Sequence, residues 1–302
     1  MNVFVAGGSG TIGVPLVRAL RAAGHQVTAL TRSAQKKTEL SASGVSVAVA
    51  DALDRDALIA AVRETRPTHV IHQLTALPKD APRRASDLVA TNRLRVDGTR
   101  NLLDAAIAAG AARFIVGSFA PFSPRGPANT ATEDEAAAAV RSMETQVLDA
   151  TRRGVIEGVI LRYGLFYGLE TPSTLAMIEM IRKRRLPVVR GDTGQLPVIH
   201  IEDAVSATVR ALDQARAGAI YDIVDDRAVS MTEIVEAIAE FTGSAPPPKV
   251  PAWLPRLVAP YMSRVTSIRL PLSNQVAKAE LGWRPKYPTM RDGLAEMFQH
   301  AA

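Results

Sequence analysis

Cysteine is absent from the 302 residues. That excludes disulfides, iron–sulfur clusters, thiolate zinc sites and a cysteine nucleophile. It fits a reducing, cytoplasmic compartment. Long apolar runs are missing too. Each is short and broken by charge, well below the roughly 18–20 residues of a membrane span. The opening MNVFVAGGSG has neither a basic n-region nor a long apolar stretch, so no signal peptide is expected. No G-x-S-x-G elbow occurs. No histidine or carboxylate spacing suggests a metal site. Charge of one sign is only mildly in excess, 36 basic against 30 acidic residues, net +6. The excess is spread along the chain, which favours anionic ligands and argues against nucleic acid.

What is present is ordinary globular material: 47% apolar and 22% charged residues. The length suits one large domain or two lobes with a substantial core. Apolar runs at 2–6, 25–30, 45–50, 69–74, 113–117, 155–161 and 219–224 read as strands. Between them, Ile12, Leu16 and Leu20 mark a helical face. Further helices are expected at 54–64, 94–109, 135–152, 201–212 and 230–241. Thr132 with Glu135 and Ser230 with Glu233 fit capping boxes. Strands alternating with helices predict a doubly wound parallel sheet, an α/β fold. The stretch 244–250 (SAPPPKV) reads as a linker without regular structure, with two short helices beyond it.

Gly7, Gly10 and Gly13 form G-x-x-G-x-x-G between the first strand and the first helix. One glycine permits the tight turn, one lets backbone approach a pyrophosphate, and one allows close helix–sheet packing. The helix N-terminus then faces the phosphates. After the second strand come Thr31, Arg32 and Ser33, with no carboxylate before Glu39. A carboxylate there would bind the adenosine ribose; an arginine fork suits a 2′-phosphate. The reading is NADP, with NAD as the alternative. Asp51 ends the third strand, placed either to accept from an adenine amino group or to cap a turn.

The stretches 6–13 (AGGSGTIG), 50–54 (ADALD), 70–76 (VIHQLTA), 97–106 (DGTRNLLDAA), 161–168 (LRYGLFYG) and 198–204 (VIHIEDA) occur in order, and 281–294 closes the chain. Together they resemble the extended short-chain dehydrogenase/reductases, in the NAD-dependent epimerase/dehydratase branch. The resemblance implies a Rossmann lobe at 1–167 and a smaller substrate lobe at 168–302, interleaved with the sheet at about 190–225. It implies a cofactor site of Gly7, Gly10, Thr11, Ile12, Gly13, Arg32, Ser33, Asp51, Ala52, Leu74, Thr75, Ala76 and Tyr163. It also implies a small-molecule substrate and a homodimer through the fourth and fifth helices.

The same resemblance expects a Tyr-x-x-x-Lys pair on the fifth helix and a hydroxyl after the fifth strand. None of the tyrosines at 163, 167, 221, 261 and 287 has lysine four residues on. Alignment puts Ala139 and Met143 at the pair, Phe119 at the hydroxyl with Ser118 before it, and Arg95 in place of a frequent asparagine. Proton handling then falls to Ser118, Tyr163, Tyr167 or water. Glu144 is one residue, about 100° of helix, past the lysine position and is expected to face elsewhere. His72 and His200 read as structural, as does the acidic group 133–135. The run 182–185 reads as a solvated helix end in preference to an anion patch, and 253–264 as packing within the small lobe, with a lid over a hydrophobic substrate, a dimer face or a membrane-surface helix as alternatives. The expected activity is an NAD(P)-dependent oxidoreductase or epimerase on a small organic substrate. The alternatives are a catalytically silent NADP(H) sensor and a non-redox isomerase or cyclase.

Overall fold

The first strand, β1 (Asn2–Ala6), is apolar and buried on both faces, as a central parallel strand must be. The computed structural model containing it describes the chain apart from residues 43, 79–81, 83, 123–134, 192–193, 259–262, 264–265, 268, 271 and 300–302. After β1 come α1 (Gly13–Ala22), β2 (Gln26–Thr31), α2 (Ala34–Ala42), β3 (Ser46–Val49), α3 (Arg55–Thr65) and β4 (His69–His72). Then follow α4 (Val89–Arg93), α5 (Thr99–Ala108), β5 (Arg113–Phe119), α6 (Glu135–Arg152) and β6 (Glu157–Tyr163). The remainder holds β7 (Leu165–Tyr167), α7 (Pro172–Arg182), β8 (Val188–Val189), β9 (Val198–His200), α8 (Ile201–Gln214), β10 (Ile220–Ile223) and α9 (Met231–Phe241).

The main sheet has seven strands in the order β10-β6-β5-β4-β1-β2-β3, all pairs parallel. The α/β doubly wound expectation is met. The chain runs outward from β1 to β2 and β3, then returns to its other side for β4. That reversal opens a crevice beyond the carboxyl ends of β1 and β4, where ligands of such sheets bind. Leu16, Val17 and Leu20 of α1 and Ala204, Ala207 and Ala211 of α8 pack one face of the sheet. Leu58 and Val62 of α3, Leu102 and Ala106 of α5, and Val147 of α6 pack the other. A third apolar cluster joins Tyr167, Ile178, Leu196, Ile234, Ile238, Met290 and Leu294 near the C-terminal end.

Three expectations change. The helix expected from residue 94 begins at Val89, because Leu94–Gly98 forms one wide π turn between α4 and α5. That turn buries Leu94, Arg95 and Gly98, and π turns concentrate at functional sites. The stretch 244–250 is not wholly irregular: Lys249–Val250 form β11, parallel to β8. The three prolines end before it, so its backbone groups are free to pair. The sixth strand runs later than expected, Glu157–Tyr163. The Ser230–Glu233 capping box is present. Thr132, Glu133 and Asp134 lie outside the described residues. Arg182 ends α7 and Arg185 is exposed, consistent with a solvated helix end.

Candidate active site

Gly7 has φ +96°, a region that disfavours side chains, and a Cβ there would lie 2.6 Å from the Gln73 carbonyl oxygen. A Cβ on Gly13 would lie 2.0 Å from the Gly7 carbonyl oxygen. The loop is therefore folded onto itself and onto the end of β4 as only glycine permits. A Cβ on Gly10 would meet nothing closer than that same carbonyl at 3.2 Å, so the loop is open on that side. Helix α1 starts with Ile12 as its cap, without a side-chain cap bond and without acidic residues in its first turn. Its positive end is left for an anionic group. These residues fit the pyrophosphate of a dinucleotide. Thr11 is exposed at the loop, while Ile12 is buried against the sheet.

Arg32 leaves the end of β2 and is mostly exposed; its Nη1 lies 4.0 Å from Asp51 Oδ2. The Ser33 hydroxyl accepts from the Lys36 backbone N–H, starting α2. The Asp51 carboxylate accepts from the Leu53 N–H at 2.9 Å, which is the turn-capping reading, and its other oxygen faces Arg32. Ala52 is buried beneath, and the Asn101 amide donates to its carbonyl. Arg32, Ser33 and Asp51 thus sit together at the β2–β3 side of the crevice. Leu74, Thr75 and Ala76 follow β4 on the other side. The Thr91 hydroxyl holds the Ala76 N–H at 3.0 Å. His72 is fully enclosed: Nδ1 accepts from the Leu74 N–H and Nε2 meets the Thr99 hydroxyl. Burial, with Arg95 nearby, pushes its pKa down to about 4, so the ring is neutral and structural.

The proton-handling candidates occupy three separate settings. Tyr163 ends β6, is 3% exposed, and its hydroxyl lies 3.0 Å from Gln73 Nε2 and 2.7 Å from Thr208 Oγ1. Burial raises its pKa to about 12. Tyr167 is packed in the C-terminal cluster and donates to Asp225 Oδ2 at 2.9 Å. Burial, and then the Asp225 charge, raise its pKa strongly. Both phenols are engaged inside the protein and hold their protons. Burial likewise raises Asp225 to about 8. His200 lies between Tyr167, which it meets edge to face, and the tilted ring of Tyr287, and burial lowers it to about 4.

Ser118 is the third setting, and here Glu144 departs from expectation. Glu144 does not face elsewhere. It is 4% exposed and accepts from the Ser118 hydroxyl at 2.6 Å. Arg162 of the neighbouring strand completes it, Nε to Oε1 at 2.8 Å and Nη2 to Oε2 at 2.6 Å. Ser118 and Arg162 are register partners on β5 and β6, so their side chains share the face that α6 covers. The about 100° step from position 143 carries Glu144 onto them. An arginine among the apolar residues of β6 was the available sign that a carboxylate had to be near.

Ala139 and Met143 are buried on α6. Phe119, half-buried at the end of β5, meets Phe122 edge to face, centroids 5.0 Å apart at 75°. The positions that the resemblance assigns to a proton relay therefore carry apolar side chains: Ala139 and Met143 on the helix that covers the Ser118 face, and Phe119 on the other face of β5.

Residues 3–225 match the NAD dependent epimerase/dehydratase family. The chain belongs to this family. Its relatives include a 3-diazoavenalumate denitrifying reductase of a Streptomyces species, 38% identical over 97% of this chain and 99% of that protein. A ceramide reductase of Caulobacter vibrioides is 28% identical over 81% of this chain and 71% of its own. Among solved structures, Thermus thermophilus UDP-glucose 4-epimerase, in complex with NAD, superposes with TM-score 0.78 at 26% identity, covering 99% and 98% of the two chains. This family member is accordingly an oxidoreductase- or epimerase-type enzyme with a Rossmann site for a nicotinamide dinucleotide. Among its described residues no helix is long and apolar enough to cross a membrane.

Proposed function

We propose that the protein is an NADPH-dependent reductase that removes nitrogen from a diazo compound. The observation that carries this is that Phe119, Ala139 and Met143, the positions where the resemblance expects a proton relay, are all apolar. Reduction of a carbonyl creates an alkoxide that needs a proton, and these side chains have none to give. When bound, the reduced nicotinamide supplies a hydride; a diazonium, Ar–N≡N⁺, accepting it at the terminal nitrogen gives Ar–N=N–H, which collapses to Ar–H and N2. No alkoxide forms and no proton is drawn from the protein. The near full-length similarity to a denitrifying reductase supports this substrate class.

The chain's own residues bind and orient. The Gly7–Gly13 loop and α1 take the pyrophosphate, Arg32 and Ser33 a 2′-phosphate, and Leu74 to Ala76 the nicotinamide half. Residues 1–167 serve as the cofactor lobe and 168–302 as the substrate lobe, the stretch at about 190–225 being interleaved with the sheet. Tyr163, Tyr167 and Ser118 act as supports, since each hydroxyl is held by protein groups.

The test is turnover of an arenediazonium by the purified protein with NADPH deuterated on either face of C4. Enzyme-dependent release of N2, one NADPH consumed per N2, with deuterium removed from C4 for one face only, is expected. Loss of N2 no faster than without protein, or reduction of ketones and aldehydes in preference to the diazonium, would overturn the reading.

A further inference from the structure

Phe119 stands at the carboxyl edge of β5, one strand beyond β4. Arg32 and Asp51 mark the adenosine end of the crevice at β2 and β3, and the glycine loop marks its centre. A dinucleotide laid across that centre extends its other half over β4 and β5. That would bring the reacting ring toward Phe119. On the pleat it shares the face of Gly117, opposite Ser118 and its ion pair. Phe122 packs on Leu88 and Ala136, which fixes its ring. Phe119 is half-buried, so part of its ring remains accessible, and a ring face carries the negative side of the quadrupole.

Resting on the reductase reading, we propose that Phe119, backed by Phe122, selects the substrate: the two rings form a wall that holds a planar aryl cation beside the nicotinamide. An apolar wall penalises an ordinary ion. A cation delocalised over an aryl group is weakly hydrated, and a ring face attracts it. Glu144, on the other face of the sheet, is taken by Ser118 and Arg162. Aromatic surface, rather than charge, is what recognises the cation. Phe119 is a specificity-determining residue that gives the site a preference for arenediazonium ions over neutral diazo compounds and over carbonyls.

The experiment is calorimetric titration of the NADP⁺-loaded protein with two unreactive isosteres, 4-(trimethylammonio)benzoate and 4-tert-butylbenzoate. They have the same shape and differ in the one positive charge. The wild type is expected to bind the cation at least fivefold more tightly. Phe119→Leu should reduce the preference to within twofold, and Phe119→Tyr, which keeps the ring, should retain it. Unchanged NADP⁺ affinity of the leucine variant shows that the lobe is intact. Equal binding of the two probes by the wild type, a preference that survives Phe119→Leu, or one lost in Phe119→Tyr would each overturn the assignment. A ring-dependent preference without diazonium turnover supports this assignment and removes the reductase reading. Turnover combined with a preference indifferent to Phe119→Leu does the reverse.

Discussion

On the proposed NADPH reading, cofactor choice turns on Arg32. Its guanidinium is exposed and only loosely paired with Asp51 at 4.0 Å, so a 2′-phosphate meets a group that is not already committed. Arg32→Ala should weaken NADPH binding by about 1.5–3 kcal/mol, typical of a hydrogen bond to a charged group, and leave NADH nearly unchanged. Calorimetry with both dinucleotides checks this, and equal losses for the two would refute it. Gly13 is the sharpest steric constraint. The 2.0 Å approach of its missing Cβ to a backbone oxygen means Gly13→Ala must displace the loop or α1. NADPH binding should fall at least tenfold, while thermal unfolding shows how much of the fold moves with the loop. The glycine loop was legible in the sequence, because a tight turn is a local matter of residue type and spacing.

At the scale of elements, α6, β5 and β6 are tied by Glu144, Ser118 and Arg162. Removing one partner of a buried pair strands the other charge. Glu144→Ala should therefore cost about 3–5 kcal/mol in urea unfolding, whereas Glu144→Leu combined with Arg162→Met should cost far less. A small loss in the single variant would show that the pair is not truly desolvated. This tie was not legible, since it joins positions 118, 144 and 162 through a register that only strand pairing sets. The π turn at Leu94–Gly98 was missed for the same kind of reason. Periodicity sees an unbroken apolar face and cannot report one extra residue in a turn.

For the whole molecule, buried titratable groups set the response to pH. His72 and His200 are held neutral, each with a pKa near 4 against 6.5 when unfolded. A depressed value contributes stability that is present above pH 6.5 and lost as pH falls toward 4, at up to about 1.4 kcal/mol per pH unit for each ring. Asp225 works in the opposite sense. Its pKa near 8 lies above its unfolded value of 3.8, so its contribution is full below 3.8 and gone above 8. Asp225→Asn, measured against wild type by urea unfolding from pH 4 to 9, should gain relative stability as pH rises and level off near 8. A difference flat with pH would contradict that burial. The C-terminal segment is held into the same region. Asp203 accepts the Lys286 and Tyr287 N–H groups at 2.6 and 2.9 Å, and buried Trp283 donates to Ser206. Asp203→Ala leaves two N–H groups without their acceptor and should lower stability by about 2–4 kcal/mol. The two tryptophans report it separately, since Trp253 is 62% exposed and Trp283 is 1% exposed.

The sequence by itself determined the α/β alternation, the glycine loop and the family, together with the residue types at positions 119, 139 and 143. Those are consequences of hydrophobic period and of local backbone needs, which neighbours along the chain define. Only the tertiary structure decided which hydroxyls are enclosed, that Glu144 turns inward to Ser118 and Arg162, and that Phe119 and Phe122 meet edge to face. Burial and pairing depend on distances across the sheet, and those arise when strands far apart in sequence take one register.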